Sequence, residues 1–217
     1  MTKEKGPGQV ALTSVFVFLG LVTFFSDSPA DALVLRTRIN PLPAVPMDGQ
    51  DLVRLLRRQH IAINFIRAST DPVVRPARRA GTLRDILTVL VSETHVYRYR
   101  IISGHLVLYP ATEGYEQVVT IPRDVYQKVP RMTAATAYVE WLRTHLPEFG
   151  DLVPPALIGD PRARAYTDSV SLKPSGRILD HLVGLLGDDS TLLFAIETAR
   201  SGKPMFVFYR LPPGEHR

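Results

Sequence analysis

Apolar residues recur along this chain with two different periods, and the switches between them predict a repeated order of helix and strand. After Asp48, whose carboxylate can cap a helix, Leu52, Leu55 and Leu56 fall on one side, which predicts a helix ending near Gln59. In HIAINFI the period drops to two, with Ile61, Ile63 and Phe65 on one face and Asn64 on the other. Leu83, Ile86, Leu87, Leu90 and Val91 restore the helical stripe, with Thr82 as N-cap and Asp85 three residues on. VYRYRII and HLVLY alternate again across Ser103-Gly104, a credible two-residue turn. That turn sets Ile101 opposite Leu106, Tyr99 opposite Leu108, Arg100 opposite Val107 and Arg98 opposite Tyr109.

The second half repeats the order. Thr133 opens a helix with Ala137, Tyr138, Trp141, Leu142 and Leu146, closed by Pro147. After DSVSLK, a strand, Pro174 and Ser175 introduce a helix carrying Ile178, Leu179, Leu182, Leu185 and Leu186. Leu192, Phe194 and Ile196 alternate in the next strand, and a turn centred on Ser201-Gly202 sets them opposite Tyr209, Val207 and Met205. Pro204 marks the last strand as an edge, or the residue as its extreme end. The corresponding helices start 93 positions apart, at Leu83 and Gly176. Each leucine-rich stripe must be roofed by the β-ribbon that follows it, since each fully buried side chain contributes about 1.5–3 kcal/mol.

The expected fold class is therefore α+β, as two small modules, each a few-stranded sheet with helices on one face. The modules span 48–121 and 133–211, with linkers at 33–47, where NPLPAVP opposes helix and central strand, and at 122–132, and a tail at 212–217. Residues 1–32 read as a secretion signal: Lys3 and Lys5, the apolar run Val10 to Phe25, and Ala30 and Ala32 spaced for cleavage. The run has 16 residues, so an inner-membrane association through Val10 to Phe25 is the alternative to cleavage. Either outcome places the chain from Leu33 onward in the periplasm or outside the cell.

Charge and reactive groups change this picture little. The chain has no cysteine, so there is no disulfide, a pattern a bacterial periplasm tolerates. Past Ala32, 24 Lys plus Arg stand against 18 Asp plus Glu, and 21 of the cations are arginine. Candidate binding residues are Arg54, Arg57, Arg58, Arg75, Arg78, Arg79, Arg98 and Arg100; with Arg67 and Arg84 the segment 54–84 could meet an anion. No zinc-finger spacing or aromatic RNA-binding strand accompanies them, and nucleic acid is not an expected partner. The histidines form no HExxH or HxxEH pair, no Gly-rich phosphate loop occurs, and Ser103-Gly104-His105 sits at a turn and lacks a nucleophile elbow. No catalytic residue, metal or cofactor is assigned.

VRPARRAGTLRDILTVLVSETHVYRYRIISGHLVLYP and DSVSLKPSGRILDHLVGLLG resemble the short N-terminal domain of secretins and TonB-dependent receptors. The likeness lies in Thr82 through Leu90 with its hairpin, and in Val170 to Leu172 with Ile178 through Leu186. It implies a periplasmic docking module, and the lack of a glycine-rich secretin pore segment makes an accessory protein the expectation. The leading expectation is a non-enzymatic exported adaptor or scaffold that binds a protein partner of the cell envelope, with strand addition at Val73-Val74 or Pro204 to Tyr209. The alternatives are an envelope hydrolase with a cleft between the modules, using His60, His181 or Asp188, and an anion-binding module using 54–84.

Overall fold

The structure, a computed structural model, describes residues 29–73, 80–155, 167–199 and 201–211. The first elements are helix α1 (Pro29–Leu35), which spans Ala30 and Ala32, strand β1 (Arg38–Ile39) and helix α2 (Gly49–Arg58). The Asp48 side chain accepts from the Asp51 amide and caps α2 as its sequence predicts. Strands β2 (Ile63–Ile66) and β3 (Gly81–Thr82) follow, then helix α3 (Leu83–Thr94). Thr82 and Asp85 form a reciprocal capping box at the start of α3. Strands β4 (Tyr97–Ile102) and β5 (His105–Pro110) make the first hairpin, with the register the alternation predicts. Its turn takes φ of 50° at Ser103 and 79° at Gly104, so both central residues are left-handed, which matches the twist of the strands they join.

The chain continues through β6 (Val118–Thr120), α4 (Arg123–Tyr126), β7 (Val129–Pro130), α5 (Arg131–His145), β8 (Ser169–Val170), β9 (Ser175–Arg177) and α6 (Ile178–Gly184). It ends with the second hairpin, β10 (Leu192–Thr198) and β11 (Pro204–Arg210). The α+β class stands, and each hairpin packs on the helix before it. The two hairpins also join: one five-stranded sheet runs β11-β10-β2-β5-β4. Strand β2 lies between β10 and β5, parallel to both. Three two-stranded sheets, β1-β3, β6-β9 and β7-β8, flank it.

Both faces of the large sheet are covered, each by its own core. On the first face Ile63, Phe65, Leu106, Leu108, Ala195 and Val207 meet Leu52, Val53 and Leu56 of α2 and Leu83, Ile86, Leu87 and Leu90 of α3. On the second, Ile66, Val107, Tyr109, Phe194, Phe206 and Phe208 meet Tyr138, Val139 and Leu142 of α5 and Ile178, Leu179 and Leu182 of α6. The period-two patterns of β2, β5, β10 and β11 thus feed apolar residues to both sides. From β2 the chain crosses to β5 over the first face; from β5 it returns past β2 to β10 over the second. Travel in opposite directions with one crossover hand requires covers on opposite faces.

Three expectations are revised by these contacts. Leu192, Phe194 and Ile196 face Arg210, Phe208 and Phe206, one residue off the expected partners. The connection runs from Ala199 to Lys203, whose backbones are hydrogen-bonded, so it is longer than a two-residue turn and shifts the register. Residues 33–47, read as a linker, bury Leu35, Ile39, Leu42 and Met47 in the first core. Finally, association with an inner membrane is corrected: among the described residues no helix is long and apolar enough to cross a membrane. The run Val10 to Phe25 itself, with the rest of residues 1–28, lies outside the described residues.

Candidate functional site

Among the described residues, the arginines singled out in the sequence do not converge. Arg54, on exposed α2 surface, pairs with Asp51 at 3.5 Å, and Arg58 is exposed. Arg57 is nearly covered: its guanidinium donates to the Ile63 carbonyl at 3.0 Å, pairs with Glu197 at 3.5 Å and stacks 4.6 Å above the Tyr209 ring. Burial lowers its pKa, opposed by Glu197, and the side chain ties α2 to β2, β10 and β11. Tyr209, desolvated and hydrogen-bonded to Glu197, is pushed up to about 12. Arg75, Arg78 and Arg79 lie outside the described residues. Arg98 and Arg100 belong to β4 and project from the second face, opposite α2. Arg98 is exposed; Arg100 donates to both Glu116 oxygens, at 3.2 and 3.0 Å.

At the N-terminus of α2 the anion position is filled from within. The Asp71 carboxylate, 2% exposed, accepts from the Gly49 amide at 3.0 Å, the Gln50 amide at 3.4 Å, Arg67 at 3.2 Å and the Tyr97 hydroxyl at 2.7 Å. Orphan helix donors and a guanidinium hold it. Position 49 has no room for a side chain, because a Cβ there would lie 2.9 Å from Asp71 Oδ1 and from the Tyr97 ring. Arg67 also pairs with Asp48 at 3.5 Å. Arg67, of the basic segment, is thus spent on internal carboxylates.

The residues expected of a hydrolase are separated too. His60, exposed, follows α2, on the first face; His181 is buried in the second core; Asp188 is exposed beyond α6. The β2–β10 pairing joins the two hairpins in one sheet. Among the described residues no group of three His, Asp or Glu side chains is arranged to hold a metal ion.

What the structure does present is an unequal pair of sheet edges. On β11, Val153 donates to the Pro204 carbonyl and accepts from the Phe206 amide, closing half of that edge. Pro204, whose missing N–H costs nothing at an outer edge, starts this strand. Val73, the described half of the other expected edge, is exposed and belongs to no strand, and Val74 lies outside the described residues. On β4, at the other end of the sheet, no further strand pairs among the described residues. With a two-residue turn, Ile102 and His105 form a hydrogen-bonded pair; alternation then sends the backbone groups of Tyr99 and Ile101 outward.

Charge next to this open edge is arranged around Glu116, which sequence reading missed. It accepts from Arg100, from Arg177 at 3.5 Å and, in a short hydrogen bond, from the Tyr109 hydroxyl. Burial and Glu116 together raise the Tyr109 pKa. Arg177 donates to Asp180 at 3.0 Å, and although burial pushes Asp180 up, the Arg177 hydrogen bonds and charge leave its pKa lowered. The sequence signal for the last pair was only the three-residue spacing at a helix start; Glu116 reaches the sheet from a 3₁₀ turn, Gly114–Glu116, that no periodicity marks. Compared with known proteins, the chain matches no family model, no curated protein and no solved structure.

Proposed function

We propose that this chain is a non-enzymatic exported adaptor that presents the β4 edge of its sheet to a protein partner in the cell envelope. The observation that carries this reading is the unequal treatment of the edges: the chain closes half of β11 with Val153 and leaves β4 unpaired among its described strands. An unpaired strand displays a row of backbone donors and acceptors, which another extended chain can match. Both faces of the sheet are already covered by helices, so the edge is the surface it offers. The signal-like start of the sequence supports export, and the likeness to the N-terminal domains of secretins and TonB-dependent receptors supports docking in an envelope assembly.

The test uses the absence of cysteine. A single cysteine introduced as Ser103→Cys, at the exposed turn that ends β4, carries a photoreactive group beside the edge, and Asp188→Cys, also at an exposed position, carries it elsewhere. Irradiation in native envelope extracts should give a discrete protein adduct from position 103 and none from 188. No adduct, or the same adducts from both positions, overturns the reading.

A further inference from the structure

The edge also constrains what can occupy it. We infer that β4 takes an extended peptide segment in which acidic residues alternate with apolar ones, an inference that rests on the edge-binding reading above. A strand added to β4 continues both faces of the sheet. On the first face its side chains would lie beside Tyr99 and Ile101, which are half-buried against the α2–α3 core and favour apolar neighbours. On the second they would lie beside Arg98 and Arg100. The charges gathered there are three guanidinium groups, Arg98, Arg100 and Arg177, against two carboxylates, Glu116 and Asp180. Arg100 and Arg177 are engaged with those carboxylates, so the excess positive charge is carried by exposed Arg98. An acidic residue opposite Arg98 completes the balance.

A second copy of this chain fits worse, for a reason set by the register. Two β4 strands paired antiparallel about a two-fold axis at Arg98 set Arg98 against itself. An axis at Tyr99 sets Arg98 against Arg100, and one at Arg100 sets Arg100 against itself. Like charges directly opposite one another in a sheet are destabilising. The same arginines that disfavour self-pairing therefore select an acidic partner, a combination of attraction to one occupant and repulsion of another.

The probe is a short capped peptide alternating glutamate with valine, and its counterpart with lysine in place of glutamate. Fluorescence anisotropy reads affinity, and amide hydrogen exchange on the wild-type protein reads the site. The glutamate peptide should bind, weaken with added salt and slow exchange at Tyr99 and Ile101. Arg98→Glu should reverse the preference between the peptides by roughly two- to fivefold per apposed pair. Equal binding of both peptides with those amides protected overturns the acidic specificity while leaving edge binding in place. Binding without protection at Tyr99 and Ile101, or no binding, overturns strand addition; the cysteine adducts then decide separately whether the edge has a partner at all. A concentration-dependent dimer that protects the same amides overturns the inference in favour of a second copy.

Discussion

Replacing Asn64 by leucine tests the joint on which the architecture depends. Asn64 is fully buried in β2, and its side chain bonds to both neighbouring strands: Nδ2 donates to the Leu106 carbonyl at 3.1 Å, and Oδ1 accepts from the Phe194 amide at 2.8 Å. β2 has four residues and meets β10 at only two, Phe65 and Ile66, so this amide adds a cross-link where the parallel ladder is short. Leucine has a similar shape but leaves the buried Phe194 N–H unpaired, at about 1–3 kcal/mol, and removes one bond to the Leu106 carbonyl, which keeps the backbone N–H of position 64 in the parallel ladder, at about 0.5–1.5 kcal/mol. Its extra apolar burial offsets about 1–2 kcal/mol, so the net loss is about 0.5–2.5 kcal/mol. With a urea slope of about 2 kcal/mol per M, the unfolding midpoint should fall by roughly 0.2–1.2 M. Amide exchange at Phe194 should quicken at the same time. An unchanged midpoint together with a protected Phe194 amide would refute the argument that this side chain holds the two hairpins together.

Three further outcomes follow from buried groups. Leu87→Asp puts a carboxylate at a fully buried position between α3 and the sheet, and should abolish cooperative unfolding in urea at neutral pH; a retained wild-type midpoint would place Leu87 at the surface. Arg131, 2% exposed, donates to the Leu185 and Leu186 carbonyls at 2.8 and 3.1 Å and caps the end of α6. Arg131→Met orphans the Leu185 carbonyl and leaves the Leu186 carbonyl only its 3.4 Å bond from the Asp189 amide, and should cost about 1–3 kcal/mol in chemical denaturation; a loss near zero would mean that water replaces the cap. His181 is buried with Nδ1 3.3 Å from the Tyr138 hydroxyl and Nε2 unpartnered, and desolvation lowers its pKa against the opposing effects of the Lys173 carbonyl and Asp180. The unfolded chain then binds the proton more readily, so stability is full above the ordinary histidine value of 6.5 and declines as pH falls below it. His181→Gln should flatten that decline in urea midpoints measured from pH 7.5 to pH 5, leaving the part due to His105, whose pKa burial also lowers; identical slopes would remove His181 as a cause.

Local chemistry alone determined much of the fold. The Asp48 cap, the Thr82–Asp85 box, the α3 stripe and the register of the first hairpin all depend on residues within a few positions of each other, and their spacing states them directly. The second hairpin failed by one residue because Ser201-Gly202, the same dipeptide that turns the first hairpin, lies within the longer connection from Ala199 to Lys203 and is not a two-residue turn by itself. The start of α5 was missed by two residues since Arg131 reads as a surface cation until α6 is placed over it.

The candidate edge was less legible. The β4 sequence announced a strand with arginines on one face, and nothing in its periodicity could say that this strand would lie outermost while the β11 edge would be half closed by Val153. Strand order is decided by contacts between residues far apart in the chain, here the parallel pairing of β2 with β10 across about 130 positions and the Asn64 amide that reinforces it. The sequence by itself determined α2, α3, α5 and α6, the presence of both hairpins and the register of the first, because those follow from side-chain period and burial. Only the tertiary structure decided that both ribbons share one sheet, that its two faces are roofed from opposite sides, and that β4 is left to meet something else.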